Sequence, residues 1–312
     1  MTAPVSPQPH IPVMLSEVLA HLRPHDGETY VDGTLGAGGY TRAILDQADC
    51  TVIAIDRDPE AHRRAEAWRD AYGDRLVLVH DAFGNVADIV DAPVNGFVLD
   101  LGVSSMQLDQ GARGFSFRFD GPLDMRMDTT QGETAAEFLA RATPSDIERV
   151  IKDYGEERFA HAIAKAIAAA RTGGAVATTG QLAAIVEKAV RTREPGQHPA
   201  TRSFQALRIF INQELEELTH VLPVCVARLR KGGRLAVISF HSLEDRIVKR
   251  FMRDESRPPV LPRRLPARAA GLPAPRLKLV GKAVRPGEVE VAANPRARSA
   301  VMRVAERTEA PA

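Results

Sequence analysis

Cysteine is nearly absent from this chain, which has two in 312 residues, Cys50 and Cys225, far apart and without partners at metal-ligand spacing. That argues against a disulfide framework and a structural zinc, so no metal is expected, and both thiols read as small core residues in a reducing, cytoplasmic setting. Aromatics are few, at 5% with one Trp, and no apolar run approaches the roughly 20 residues that cross a bilayer, so no membrane partner is expected. Met1 to Pro9 has neither a basic start nor an apolar stretch, and no signal peptide is expected. No charge sign dominates either: 41 Lys and Arg against 40 Asp and Glu leave +1, which excludes a simple polycation. The local exception runs from Arg257 to Arg285, with eight Lys or Arg and no acid. It reads either as a contact to phosphates or as a solvated loop rich in Pro and Arg.

What remains is ordinary globular material, 44% apolar and 26% charged, enough for one large domain or a domain carrying an insertion. Glu28 to Asp32 reads as a short strand ending in an acid, Gly33 to Gly39 as a turn, and Tyr40 to Leu45 as a helix. Cys50 to Asp56 is an apolar run suited to a strand buried on both faces, Pro59 to Tyr72 a helix, and Leu76–Val79 and Gly96–Asp100 two more strands. This alternation predicts a doubly wound parallel sheet, a Rossmann-like α/β core. From about Gly111 to Leu215 the pattern turns helical, with starts at Thr143-Pro144 and Thr179 and a helix from about Phe204 to Leu218. Pro223 to Arg230 is again helical, Gly232-Gly233 a stop, Arg234 to Phe240 a buried strand, and Ser299 to Val304 a last, edge-type strand. The expected organisation is a core of residues 1–110 and 216–312 with a helical insertion at 111–215.

The glycine turn lets backbone approach a ligand closely, although a tight turn needs nothing more. Its helix-opening run, Gly36-Ala-Gly38-Gly39-Tyr-Thr41, lacks the last glycine of a dinucleotide fingerprint. Asp56 ends the second strand where a carboxylate meets ribose hydroxyls in this fold, and its charge opposes a 2′-phosphate. Asp58, followed by Pro59, reads as a helix cap. Phe83 could pack on an adenine or lie in the core, and Asp81 could accept from an exocyclic amine. Asp100 ends the fourth strand and faces the ligand crevice. For transfer to an exocyclic amine, a carboxylate accepting from that N–H would localise the lone pair and stabilise the positive charge of attack. The Asp/Asn-Pro-Pro-aromatic motif of many amino-methyltransferases is absent.

Longer words then accumulate: His10-Ile-Pro-Val-Met-Leu15, Val31-Asp-Gly-Thr-Leu-Gly-Ala-Gly-Gly39, Ala54-Ile-Asp-Arg-Asp-Pro59, Leu99-Asp-Leu-Gly-Val-Ser-Ser105, Asp120-Gly-Pro-Leu-Asp-Met-Arg-Met-Asp128, Thr201-Arg-Ser-Phe-Gln-Ala-Leu-Arg-Ile209 and Ser239-Phe-His-Ser-Leu-Glu-Asp-Arg246. On these the chain resembles the RsmH (MraW) family, bacterial methyltransferases acting on the N4 amine of a decoding-region cytosine in 16S rRNA of the small ribosomal subunit. The resemblance implies S-adenosylmethionine as cofactor, held by Gly38, Gly39, Tyr40, Asp56, Phe83, Asp100 and Gln107, with Asp100 as the catalytic candidate, and a methyltransferase core with an inserted helical substrate-recognition domain. Tyr40 stands where the family commonly carries His, and its backbone can still serve; Met106 stands where many relatives carry Pro. The partner implied is 16S rRNA, and a homodimer stays open.

Three further features have two readings each. Asp120 to Asp128 is either a lid over the site or an ion-paired loop anchoring the insertion. His241 and Ser242 follow a strand tip and read as a substrate pocket, or Ser242 caps a helix; as neighbours in sequence they cannot aim at each other as a nucleophile-base pair. Arg202 and Arg208 suit phosphate contacts, although Glu214, Glu216 and Glu217 could pair with basic neighbours. Two other functions compete: an NAD-dependent oxidoreductase, from the glycine turn and Asp56, and a non-catalytic RNA-binding assembly factor, from the basic stretch.

Overall fold

The computed structural model describes residues 12–192, 196, 198–258 and 274–310. The expectation placed on the middle of the basic stretch, 259–273, lies outside the described residues. In chain order the elements are α1 (Leu15–Leu22), β1 (Thr29–Asp32), α2 (Gly39–Gln47), β2 (Thr51–Asp56), α3 (Pro59–Arg69), β3 (Leu76–His80), α4 (Val86–Ile89), β4 (Val94–Asp100), α5 (Ser105–Asp109), α6 (Ala135–Arg141) and α7 (Pro144–Gly155). They continue with α8 (Ala160–Ala170), α9 (Thr179–Ala189), α10 (Thr201–Asn212), α11 (Glu214–Arg228), β5 (Leu229–Ser239), α12 (Ser242–Glu255), β6 (Leu277–Leu279), α13 (Glu288–Ala293) and β7 (Val301–Arg307). Among the described residues no helix is long and apolar enough to cross a membrane.

The chain divides into two compact units, Met1–Gly102 with Leu215–Ala312, and Val103–Glu214. Val103 to Gln110, expected with the sheet, groups with the helices because Val103 and Leu108 pack on the helical unit's apolar core.

The first unit is a seven-stranded sheet in the order β3-β2-β1-β4-β5-β7-β6. β1 to β5 run parallel, and β7 is antiparallel to both its neighbours. Strand residues alternate between the two faces. Tyr30, Val98, Ala236 and Ile238 join α1 and α2 in one core; Val31, Phe97, Leu99, Leu235 and Val237 join α11 and α12 in the other. Each fully buried Val, Leu, Ile or Phe contributes roughly 1.5–3 kcal/mol relative to exposure, so two-sided burial of β4 and β5 anchors the sheet. Cys50 and Cys225 are both buried, and burial pushes the Cys50 thiol up to about 11.

Within the first unit, and where the chain re-enters it, three expectations change. The last strand is not an edge: β7 is inserted between β5 and the short β6, which its two-sided burial requires. β6 is three residues between Pro275 and Gly281, too short to show a period. Next, one helix from Phe204 to Leu218 becomes two, because Gln213 takes a left-handed φ of 51° and closes α10, while α11 runs on through Pro223. Finally, Gly232-Gly233 does not stop a helix; α11 has ended at Arg228, and Gly232, with φ 79°, lies where β5 shifts register against β4.

The second unit packs α7 on α8 and α10 through Ile147, Val150, Ile151, Ile163, Ile167, Phe204 and Leu207. Thr143 caps α7, accepting the Asp146 N–H at 3.2 Å, with Pro144 at the first position as its sequence requires. At α9 the cap is Thr178, in a reciprocal box with Gln181, not Thr179. Thr179 is buried, and its hydroxyl accepts from Gly121 N and donates to the Phe119 carbonyl, both at 3.1 Å.

Candidate active site

The crevice is defined by register. Asp32, Asp56 and Asp100 end β1, β2 and β4, but Asp32 pairs across to Ala54 and Val98, two residues short of the other acids. At roughly 3.3 Å per residue Asp32 lies about 6–7 Å deeper along the strands, and together with the neighbouring Asp100 carboxyl it makes the floor of the crevice. The strand order reverses between β1 and β4, where crossovers diverge and leave a crevice at the carboxyl ends.

The glycine turn arches over this floor. Gly36, at φ 49°, donates its N–H to the Asp56 carboxylate at 2.8 Å, which ties the turn to the next strand. Gly38 has φ 77°, and a Cβ there would meet the Trp68 ring at 2.3 Å; a Cβ on Gly39 would meet the Pro12 ring at 2.0 Å. Both glycines therefore turn their hydrogen faces to packed side chains, leaving only their peptide groups for a ligand. Tyr40 goes beyond a backbone role: it is buried, its hydroxyl donates to the Val13 carbonyl at 2.6 Å, and it lies against the Asp100 carboxyl.

Acids gather on the floor without a basic partner. Asp32 is 0% exposed; it accepts from the Thr41 hydroxyl at 2.7 Å and from Thr34 N at 3.1 Å. Burial pushes its carboxyl up to about 6. Asp100, held by its own N–H to the Thr34 hydroxyl at 2.7 Å, is pushed well above the carboxylate range by burial first, then by Asp32. Its Oδ1 is buried without a hydrogen-bond partner. Neither Asp32 nor Asp100 pairs with an Arg or Lys among the described residues. Glu244, buried on the first turn of α12, adds negative potential at Asp100. An uncompensated buried acid is costly, and a bound cation relieves it.

The rim beside β2 and β3 carries the other expected residues. Asp56 also accepts the Asp58 N–H at 2.8 Å, one backbone donor per oxygen, and burial raises its pKa. A carboxylate has about four acceptor positions, so two remain open to a ligand. Asp58 caps α3 as read, accepting from Glu60 N at 2.9 Å. Phe83 is half-buried, with the Arg57 guanidinium 5.9 Å from its ring centre. Asp81 spends one oxygen on Ala82 N and the Asn85 amide, both at 2.7 Å.

At the tip of β5 the helix cap is His241 rather than Ser242. Its Nδ1 accepts from Glu244 N at 3.4 Å while Glu244 accepts from Phe240 N at 2.7 Å, so Ser242 falls at the first helical position and is exposed. The sequence reading passed over Thr34, Thr41 and Glu244. Glu244 lies three residues past a helix start, where a capping acid belongs.

The structure thus brings together Gly38, Gly39, Tyr40, Asp56, Phe83, Asp100, His241 and Ser242 in the first unit. Gln107 and Arg202 belong to the second. Gln107 is buried and completes the cap of α5, taking the Ser104 N–H at 2.9 Å; Arg202 lies in the first turn of α10. Arg208 makes a two-pronged pair with Glu214 at 2.8 and 2.9 Å, the acid pairing that the sequence offered beside a phosphate contact. The acids of the 120–128 segment are likewise engaged locally. Asp120 accepts from Gly180 N at 2.8 Å, which holds its carboxyl below the usual range, and Asp124 grips Arg126 at 2.8 and 2.9 Å. In the basic stretch, Arg276 pairs with Glu255 at 2.7 Å.

Comparison with known proteins adds a different kind of observation. The sequence model of the MraW methylase family matches residues 7–308. Ribosomal RNA small subunit methyltransferase H of Azoarcus sp. (strain BH72) is 69% identical over 304 residues, covering 96% of this chain and 96% of the relative. Proteins with the same name from Aromatoleum aromaticum and Dechloromonas aromatica are 67% and 56% identical, over 96% of this chain and 97% and 98% of theirs.

Proposed function

This chain belongs to the MraW methylase family, and from that premise we propose that it methylates the N4 amine of a decoding-region cytosine in 16S rRNA of the small ribosomal subunit, using S-adenosylmethionine. The names of its relatives support the small-subunit RNA as substrate. Family membership also sets aside the oxidoreductase reading. S-adenosylmethionine brings a methyl group on a positively charged sulfonium.

The observation that best supports this donor is the acidic floor, where the half-buried Asp100 holds one buried oxygen without a hydrogen-bond partner beside the fully buried Asp32. A donor with a fixed positive charge offsets these acids in their ionised forms, and an anionic one opposes them. On this reading Asp56 holds the ribose with its two remaining acceptor positions, Phe83 packs on the adenine, and the peptide groups of Gly38, Gly39 and Tyr40 line the donor's amino-acid end. Asp100, once ionised, accepts from the target N–H, concentrates the nitrogen lone pair and stabilises the charge that forms as the nitrogen attacks. The rest of the rate follows from in-line placement of the two reactants. His241 and Ser242 serve the substrate side, and the Val103–Glu214 unit, through Arg202, recognises the RNA.

The test is methyl transfer from labelled S-adenosylmethionine to small subunits lacking the mark, followed by nucleoside analysis. N4-methylated cytidine is the expected product. Transfer to a ring carbon, to ribose or not at all would overturn the proposal, and cofactor-independent subunit binding without transfer would favour an assembly factor.

A further inference from the structure

Glu217 stands on the first turn of α11, with its side chain mostly buried. Its two carboxylate oxygens are divided between two segments. Oε1 accepts the backbone N–H of Gly84 at 2.8 Å; Oε2 pairs with the Arg57 guanidinium. Each partner is the chain neighbour of a residue assigned to the donor, since Arg57 follows Asp56 and Gly84 follows Phe83. The fit at Gly84 is close, because a Cβ there would meet Glu217 Cγ at 2.7 Å. Arg57, held by Glu217, lies 5.9 Å from the centre of the Phe83 ring, within cation–π range. One acid therefore fixes the tip of β2, the loop after β3 and the ring that closes the adenosine end of the crevice.

We propose that Glu217 is a positioning residue for the adenosine half of the donor, acting through Arg57 and the Phe83–Gly84 backbone without touching the donor itself. The inference rests on the donor reading above and adds a residue outside the crevice to it. The physical basis is pre-organisation. A ring and a carboxylate that are already in place cost little ordering entropy when the ligand arrives, whereas a loop released from its anchor must be ordered by the ligand. Removing the acid takes the Glu217 charge away from the partly buried Arg57 guanidinium, which loosens its hold beside the ring. Glu217→Gln separates the two contacts. The amide oxygen still accepts from Gly84, but its NH2 group confronts Arg57, donor against donor. Glu217→Ala removes both.

Because nothing in the acidic floor changes, the effect belongs to binding of the adenosine end and not to the chemical step. For Glu217→Gln the donor KM should rise about tenfold, and more for Glu217→Ala, with kcat at saturating donor within about twofold of wild type. 5′-Methylthioadenosine, which carries adenine and ribose but no amino-acid end, should lose the same factor in calorimetric Kd. A role in stability alone would lower the melting temperature while leaving both affinities of the folded protein intact. Arg57→Gln is the second variant, since it removes the ion pair from the rim without touching α11; it should reproduce the Glu217→Gln loss, and the double variant should lose little more. Wild-type protein that binds neither S-adenosylmethionine nor 5′-methylthioadenosine would refute the donor reading itself. Wild type that binds both, with the Glu217 and Arg57 variants binding them within twofold of it, overturns the assignment of Glu217 alone.

Discussion

The Asp56 carboxylate receives the backbone N–H of Gly36 at 2.8 Å, so the tip of β2 braces the turn that leaves β1. Its second oxygen holds Asp58 N at the same distance, which fixes the rotamer that faces the crevice. Asp56→Asn would set an NH2 against one of these backbone donors, at a cost of about 1–3 kcal/mol. The expected result is a lower melting temperature together with a 10- to 100-fold loss of S-adenosylmethionine affinity in calorimetry. A variant that melts lower but binds as wild type would restrict Asp56 to bracing the turn.

Asp100 carries the chemical proposal. Asp100→Asn preserves shape and supplies no charge to the forming cation, so kcat should fall by about 100-fold or more while the fold persists. Single-turnover transfer to unmethylated subunits measures this, with circular dichroism as the check on folding. Activity within threefold of wild type would remove Asp100 from the reaction.

Ligand binding should also move protons. Burial pushes Asp32 up to about 6 and Asp100 well above the usual range, so near pH 6 the free protein holds protons on its acidic floor. A cation placed beside these groups favours their ionised forms and expels those protons. Titrations with S-adenosylmethionine in buffers of different ionisation enthalpy should show net proton release at pH 6. Binding heats independent of buffer would contradict it.

The same burial makes Asp32 a liability to stability at neutral pH. Its folded pKa of about 6 exceeds the ordinary value near 4, so its contribution is fully present below about pH 4 and is lost as pH rises through about 6. Asp32→Asn keeps the bond from Thr34, and the Thr41 hydroxyl can reverse to accept. Denaturant unfolding should show the variant gaining up to about 3 kcal/mol over wild type at pH 8 and little at pH 4. An equal difference at both values would show that the charge is not the cause.

Much of this site was legible because strand periodicity, acids at strand tips and glycines at turns are local signals. Asp32, Asp56 and Asp100 are each visible as the end of an apolar run. Their relative depth was not, since it comes from register, and register is set by pairing between distant strands. β7 misled for a related reason: six residues of mixed polarity read as an edge until β6, too short to register, covers the far side. Glu217 could be read as an ion-pair partner, but not as Arg57's, because helix spacing says nothing about which loop a helix will meet.

Thr178 and Thr179 make a compact control in the helical unit. Thr178 caps α9 on the surface, and its loss to Ala should cost about 1 kcal/mol. Thr179 is buried between the Phe119 carbonyl and Gly121 N, so Thr179→Ala should cost more, about 1–3 kcal/mol. Thermal denaturation of both variants decides it, and the reverse order would show that the hydroxyl of Thr178 anchors the segment.

The place of β7 has a consequence for biosynthesis. A ribosome delivers β1 to β4 early, yet β5 follows only after the whole Val103–Glu214 segment, and its antiparallel neighbour emerges later still. Until Arg307 has left the exit tunnel, one flank of β5 presents unsatisfied peptide groups, a template for strands of other nascent chains. The helices of Val103–Glu214, built from near-neighbour contacts, can condense during that interval. Truncation just before Val301 should therefore yield aggregates that still contain a protease-resistant helical fragment.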